Sequence, residues 1–442
     1  MATPEAGVQS HEANGPYWKL QPLPLTAAQV ANEFWAPRLD MLREVTLPEQ
    51  FAQCERSGRI DNFRRAAGKI GGEFQGLYFN DSDVYKWLEA ASYALAGRRD
   101  PQLEHTVDAV IAELAAAQQP DGYLNTYFAL ERAGERWSDL LHKHELYCAG
   151  HLLQAAVAHQ RATGKRTLLD VAIRYADLIC RTFGPNARHA TDGHEEIELA
   201  LVELYRTTGN RTYLDRARFF LDQRGQRPPV LNGTAYLQDH LPVREQREVV
   251  GHAVRAAYLA CGIVDVYAET GEDALAQAAE RLWESAFERK AYITGGLGAR
   301  HEGEAFGADY ELPNERAYAE TCAAIGGFLW SWRLLLTTGE ARYADWMETA
   351  LYNGILSGLS LDGTQYFYVN PLADRGDHRR QSWFSCACCP PNLARLLMSL
   401  PGYLASASAD GLWLHLYAAG SVQATLPDGD TLALEIATRY PW

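Results

Sequence analysis

Five short turns built on glycine constrain this chain more than any other feature. They are Ala96-Gly97-Arg98-Arg99-Asp100, Thr163-Gly164-Lys165-Arg166, Thr208-Gly209-Asn210-Arg211, Thr270-Gly271-Glu272 and Thr338-Gly339-Glu340. Each follows a stretch with apolar residues at helical spacing, and the position just past a helix takes a left-handed backbone that suits glycine. After four of the turns a similar second helix begins, at Leu168-Leu169-Asp170-Val171-Ala172, Tyr213-Leu214-Asp215-Arg216-Ala217, Ala274-Leu275-Ala276-Gln277-Ala278 and Tyr343-Ala344-Asp345-Trp346. The glycines are 67, 45, 62 and 68 residues apart. That is too irregular for a solenoid of fixed period and fits helical hairpins separated by long loops. Five hairpins are visible and the N-terminal helices leave room for a sixth. The expected fold is therefore mainly α, an (α/α)6 barrel of inner and outer helices with a cleft at one end, followed by the start of an antiparallel β-sandwich domain.

The boundaries follow from changes of pattern. Residues 1–25 read as a lead-in with a short extended segment, 26–403 as the barrel, and 404–442 as the beginning of a β-sandwich. From Thr26 the residues Ala27, Val30, Ala31 and Phe34 recur at helical steps, so a helix is expected there. Asn80-Asp81-Ser82-Asp83 offers caps for a helix that runs to Gly97. After about Tyr403 the stretches 412–417, 421–426 and 431–436 alternate apolar and polar residues, with turns at Gly420 and Asp428-Gly429. Three strands are too few for a sandwich on their own. Either they pack onto the barrel or the chain is cut within a larger domain.

Two islands carry chemistry. Trp383-Phe384-Ser385-Cys386-Ala387-Cys388-Cys389-Pro390-Pro391-Asn392 places three of the eight cysteines within four positions. Upstream, Glu320-Thr321-Cys322 adds a carboxylate and a further sulfur where an extended loop enters a helix, with Thr321 the expected cap. Together they offer four or five ligands to one soft metal ion, with zinc the first expectation. Adjacent Cys388 and Cys389 can share an ion only at a sharp turn, which the two prolines favour by ending any helix before them. Spacing alone leaves open whether Cys386 or Glu320 is outside the ligand set, and whether the site is structural or catalytic. A loop rich in glycine and acids, His301 to Asn314, precedes the Glu320 island and contains Glu304. His144, His194 and His252 fall at the starts of different helices, where they can line one cleft end and hydrogen-bond to hydroxyls.

Charge narrows the partners. A formal net charge of -15 over 442 residues argues against nucleic acid and anionic membrane surfaces, and fits a small neutral ligand best. Met1 to Leu20 has neither a basic start nor an apolar run, and no stretch has the length of a membrane span. With the isolated Cys54, Cys148, Cys180 and Cys261 read mostly as small buried hydrophobes, the thiols are expected reduced and the protein cytoplasmic.

The motifs Gly303-Glu304-Ala305-Phe306, Tyr318-Ala319-Glu320-Thr321-Cys322-Ala323 and Cys386-Ala387-Cys388-Cys389-Pro390-Pro391-Asn392 resemble glycoside hydrolase family 127, the β-L-arabinofuranosidases. Asp83-Val84-Tyr85-Lys86-Trp87-Leu88-Glu89, Gln119-Pro120-Asp121-Gly122-Tyr123-Leu124 and the histidine motifs are similar too, from about residue 20 to the end. The resemblance implies an (α/α)6 barrel followed by β-sandwich domains, and a retaining, exo-acting enzyme that releases L-arabinofuranose from plant-derived arabinooligosaccharides. It implies Zn2+ held by Glu320, Cys322, Cys388 and Cys389, with Cys388 also the nucleophile and Cys386 outside the ligand set. It further implies Glu304 as general acid/base with a raised pKa, and His144, His194 and His252 as substrate contacts. Tyr366 or Tyr368 is expected to approach the site. Family members continue beyond Trp442, so the chain is expected to be a fragment, and a homodimer is expected where complete β domains are present. The rival readings are a glycosidase of the same scaffold with another sugar specificity, and a non-catalytic carbohydrate-binding protein containing zinc.

Overall fold

Helices without a polar face belong at the centre of a barrel, because a helix apolar all round has no side to give to water. Ala253–Thr270 and Thr321–Thr338 are buried along nearly their whole length, whereas Thr167–Thr182 buries one stripe of Leu168, Leu169, Val171, Ala172, Tyr175, Ala176 and Ile179. The computed structural model describes residues 15–130, 132–426 and 429–441. Residues 1–14 of the lead-in, Asp428 of the Asp428-Gly429 turn, and Trp442 lie outside the described residues.

The fold is mainly α, an (α/α)6 barrel with small antiparallel sheets. The inner ring consists of Asp81–Gly97, Glu145–Thr163, Ile197–Thr208, Ala253–Thr270, Thr321–Thr338 and Cys389–Met398, each touching the next and the last touching the first. Outside them lie Pro101–Ala117, Thr167–Thr182, Arg211–Gln223, Asp273–Arg289 and Ala341–Ala350. The sixth outer position is filled by Leu47–Arg56, which packs on both Asp81–Gly97 and Cys389–Met398. The sixth pair is thus assembled from opposite ends of the chain. Inner helices approach closely where glycine leaves room: a Cβ on Gly326 would stand 2.8 Å from Ala257 Cβ.

Gly164, Gly209, Gly271 and Gly339 all end inner helices with a left-handed backbone, as the turn pattern leads one to expect. Gly97 differs. It lies within the last helical turn, Arg98 is extended, and Asp100 restarts the chain by accepting hydrogen bonds from the Gln102 and Leu103 amides. The helix expected from Thr26 also does not form. Ala28–Val30 is a strand paired antiparallel with Gly420–Thr425, Ala28 opposite Val422, and the helix begins only at Trp35. A partner strand satisfies this backbone where a short isolated helix would not. Gln21–Pro22 likewise pairs with Ala405–Ser408, giving two three-stranded sheets that each join an N-terminal strand to two C-terminal ones.

Opposite the helix N-termini, Asp265 fastens three inner helices. Its carboxylate accepts from Arg206 Nη1 at 2.9 Å and Arg333 Nε at 2.6 Å, and Arg206 also reaches Glu269 at 2.6 Å. At the barrel's junction with the sheets, buried His415 faces Ser406 Oγ at 2.7 Å and the Trp332 ring. Among the described residues, no helix is long and apolar enough to cross a membrane.

Asp265→Ala leaves two buried guanidinium groups short of a partner and is expected to destabilise the barrel by about 3–5 kcal/mol. Calorimetry checks this, and a loss below about 1 kcal/mol would contradict it. Burial lowers the His415 pKa to about 4, against about 6.5 in the unfolded chain. Its neutral form is therefore the native one, and the stability it contributes is present above pH 6.5 and lost progressively as pH falls towards 4. The loss amounts to at most about 3 kcal/mol. Urea unfolding of His415→Gln should show a shallower decline across that window than the parent protein.

Candidate active site

The inner helices present their N-terminal ends to one mouth of the barrel, and the chemically distinctive residues sit at those ends. Glu320 is the N-cap of Thr321–Thr338, so Cys322 lies in that helix's first turn. Thr321 is not the cap. Its amide donates to the Tyr368 carbonyl and its hydroxyl to the Phe367 carbonyl. Cys388 is the N-cap of Cys389–Met398, and Pro390 and Pro391 open that helix, since proline's missing N–H is harmless in a first turn. His144 caps Glu145–Thr163 and His252 caps Ala253–Thr270, while His194 lies just before Ile197–Thr208. The positive ends of helix dipoles favour anions here, thiolates included.

One atom from each of Glu320, Cys322, Cys388 and Cys389 lies within 4.8 Å of the other three. Cys322 Sγ is 3.3 Å from Cys389 Sγ, and Cys388 Sγ is 3.8 Å from Cys389 Sγ. Glu320 Oε1 stands 3.6 Å from Cys388 Sγ and 3.7 Å from Cys389 Sγ. Tetrahedral zinc with about 2.3 Å bonds to sulfur needs edges of about 3.7 Å between ligands, so this donor set fits such an ion. Glu320 Oε2 is buried with no hydrogen-bond partner, a second mark of a carboxylate shaped for a cation. Cys386 is not in the group. Its sulfur is 3.7 Å from the Tyr368 hydroxyl, and Cys388 and burial push its thiol pKa far up.

Several contacts hold the two islands in register. Arg59, ion-paired with buried Asp83 at 2.8 Å, donates to the Ser385 carbonyl, and Gln50 donates to the Pro390 carbonyl. Asn370 donates to the Ala319 carbonyl at 2.9 Å and to Thr321 Oγ1 at 3.0 Å. The Tyr368 hydroxyl lies 3.3 Å from Cys388 Sγ, whereas Tyr366 turns away and meets Gln50. Buried Lys86 donates to Tyr147 at 2.8 Å. Burial would lower its pKa, but Asp83 and the Cys388 and Cys322 sulfurs raise it. A fixed cation therefore already faces the thiols.

Glu304 approaches from the glycine-rich loop with a left-handed backbone, φ 52°, an unusual conformation for a side chain of this kind. Its Oε2 is 3.1 Å from His252 Nε2, and one of its oxygens lies within 4.8 Å of a Glu320 oxygen. The two carboxylates share the site unequally. Burial and the neighbouring Cys388 and Glu304 charges drive the Glu320 pKa well up. Glu304 goes the other way from the raised value expected. Burial raises it, but His252, Glu320 and Tyr318 together hold it below the ordinary carboxylate value. The three histidines form a row, with ring centroids 5.3 Å apart for His144 and His194 and 5.8 Å for His194 and His252. Burial and the positive charge of Arg255 lower all three pKa values, His144 to about 3, so the rings are neutral and can accept as well as donate. His144 Nδ1 is buried without a partner. A cavity of about 770 Å3 lined by Trp35, Tyr352, Phe367 and Leu361 contains none of the sulfurs, Glu304 or the three histidines.

The structure thus gathers Glu320, Cys322, Cys388, Cys389, Glu304, His144, His194 and His252 at one mouth of the barrel, and leaves out Cys386 and Tyr366. Of the two tyrosines expected to approach, it is Tyr368 that does so. The structure adds Lys86, Tyr318 and Arg255, of which the first two lie inside the sequence motifs described above and carried no separable signal.

Residues 27–402 match the family model of the β-L-arabinofuranosidase, GH127 catalytic domain. The chain is 36% identical over 469 aligned positions to a non-reducing end β-L-arabinofuranosidase of Bifidobacterium longum subsp. longum, covering 93% of this chain and 71% of that protein. It is similar to the crystal structure of a GH127 β-L-arabinofuranosidase from Geobacillus stearothermophilus T6, with TM-score 0.91, 45% identity, and 94% and 71% of the two chains covered. A GH127 β-arabinofuranosidase structure aligns with TM-score 0.93 at 45% identity, over 97% of this chain and 69% of the other.

Proposed function

The chain belongs to the GH127 β-L-arabinofuranosidase family and is a glycoside hydrolase, and from that premise we propose that it is a retaining, exo-acting β-L-arabinofuranosidase in which Cys388 is the nucleophile. Its substrates are plant-derived arabinooligosaccharides, from which it releases L-arabinofuranose. The observation that carries this reading is the placement of the Glu320, Cys322, Cys388 and Cys389 cluster directly beside the hydrogen-bonded Glu304–His252 pair.

Glu320, Cys322, Cys388 and Cys389 would hold Zn2+, which would supply the positive charge that favours the Cys388 thiolate and an ionised Glu320. Glu304, within 4.8 Å of Glu320 and 3.1 Å from His252 Nε2, is the carboxyl group that carries the proton. His144, His194 and His252 orient the furanose hydroxyls as neutral donors and acceptors. Cys388 sulfur attacks the anomeric carbon while the glycosidic carbon–oxygen bond breaks, and Glu304 gives its proton to the departing oxygen. The resulting thioglycoside is cleaved by water, whose proton returns to Glu304, and Cys388 leaves as thiolate. Two inversions give net retention, as in two-carboxylate retaining enzymes but with sulfur in place of the nucleophilic carboxylate. Tyr368, beside Cys388, steadies the sulfur between the two steps.

Glu304→Gln is expected to keep fold and metal content while lowering kcat on alkyl glycosides by about 10²–10⁴. Assay against an aryl β-L-arabinofuranoside beside other aryl furanosides and pyranosides tests the sugar; release of a different sugar alone would replace arabinose in this reading. Elemental analysis should find one zinc per chain, largely lost in Cys322→Ser. Full activity in protein stripped of metal would overturn the role given to the ion.

A further inference from the structure

A buried charge without a partner is costly, so proteins place one only where something pairs with it. The deeply buried Arg59, Arg206, Arg224, Arg333 and Arg395 each meet a carboxylate within 3.1 Å. Arg255 is 7% exposed and makes no ion pair or hydrogen bond among the described residues, and its Nε is buried without an acceptor. Its guanidinium lies over the Tyr236 ring, 4.9 Å from the centroid. Two carboxylates lie within electrostatic range but are engaged elsewhere. Asp192 accepts from the Leu146 and His194 amides, and Glu195 pairs with Arg224 at 2.9 Å.

Arg255 is three residues beyond His252 on the inner helix Ala253–Thr270, so the two side chains share a face. The Tyr236 ring beneath it is 6.0 Å from the His252 ring, centroid to centroid, which places Arg255 at the cleft. Tyr236 ties it to the acid/base side: a Cβ on Gly303 would stand 3.0 Å from the Tyr236 ring, and Glu304 is the next residue. His252 and Tyr236 therefore bridge Arg255 and Glu304. Because Glu304 protonates the departing oxygen in the reading above, the neighbourhood of Tyr236 and Arg255 is where the leaving group lies.

We propose that Arg255 is a specificity-determining residue that binds a carboxylate on the leaving group, so that among plant-derived arabinooligosaccharides those whose leaving group bears a uronate are preferred. The guanidinium fork matches a carboxylate in shape as well as charge, and the Tyr236 ring offers a face for the adjoining sugar or aromatic ring. The overall net charge of -15 favours a neutral ligand only at a distance; at the cleft the local unpaired cation decides.

The inference rests on the arabinofuranosidase reading, and one experiment separates the two. The metal-loaded parent enzyme and Arg255→Gln are compared on 3- and 4-carboxyphenyl β-L-arabinofuranosides and on their methyl esters. Taking the ratio of parent to variant for each substrate cancels differences in leaving-group acidity. Arg255→Gln should lose about 10- to 100-fold more in kcat/KM on the carboxylates than on the esters, mostly through KM. Arg255→Lys should recover part of the loss. Equal loss on both substrate types would assign Arg255 to the furanose and overturn the proposal, as would no loss at all. A parent enzyme inert on all four glycosides would remove the arabinofuranosidase reading and this inference with it. A measurement independent of any variant is inhibition of the parent enzyme by 4-hydroxybenzoate against its methyl ester. The acid should bind at least about tenfold tighter, and equal binding would count against the proposal even where Arg255→Gln does not fold.

Discussion

Three sulfurs and a carboxylate crowded into one buried space are the constraint on which the rest of the structure depends. Four such groups cannot all be ionised at 3.3 to 3.8 Å without a cation. Nor can they be held so close unless the two helices that present them are fixed to a fraction of an ångström. Both islands belong to the last two inner helices, Thr321–Thr338 and Cys389–Met398, which pack side by side. Their spacing is set by the closed ring behind them. The contacts that trim it come from far along the chain, with Arg59 and Gln50 reaching the carbonyls on either side of the cysteine pair.

Of the six non-glycine residues with left-handed backbone among the described residues, three fall in the same place. His144, Glu304 and Ala319 all take left-handed backbone without being glycine. Each lies at or next to a group assigned to substrate, proton or metal. Backbone in that region is tolerated only where the surroundings over-determine it, and the ring of inner helices does so. Neutral histidines in a row suit hydroxyl recognition, and Arg255 contributes to that neutrality while its own charge stays unanswered by protein.

How much of this was legible in the residues can be judged element by element. The glycine turns gave the hairpins because a left-handed helix end is a local demand, written into four of five positions; at Gly97 the helix ends by cap and extended residue instead. The C-terminal strands at 411–414, 420–425 and 431–436 announced themselves by alternation. Ala28–Val30 did not, since its helical spacing was overruled by a partner strand some 390 residues away (an interaction no local pattern encodes). The thiol cluster was visible as composition, but its geometry was not: the prolines were read as stopping a helix and in fact start one. The direction of the Glu304 pKa was misread for a similar reason. Burial was foreseeable, whereas the nearness of His252, Tyr318 and Glu320 depends on where a loop lands. The choice between Tyr366 and Tyr368 and the setting of Arg255 were not legible, and only packing reveals what these side chains face.

The pairing of Leu47–Arg56 with Cys389–Met398 has a consequence for how the protein comes into being. On a ribosome the helix that carries Cys388 emerges after all the other barrel helices, yet it fills the gap between the first inner helix and the fifth. Until it docks, the ring is an open crescent with an apolar seam exposed to solvent, and contacts this distant in sequence form slowly. The step that seals the seam also delivers the Cys388 thiol. Catalytic competence in this architecture is therefore a report that the whole circle has been drawn.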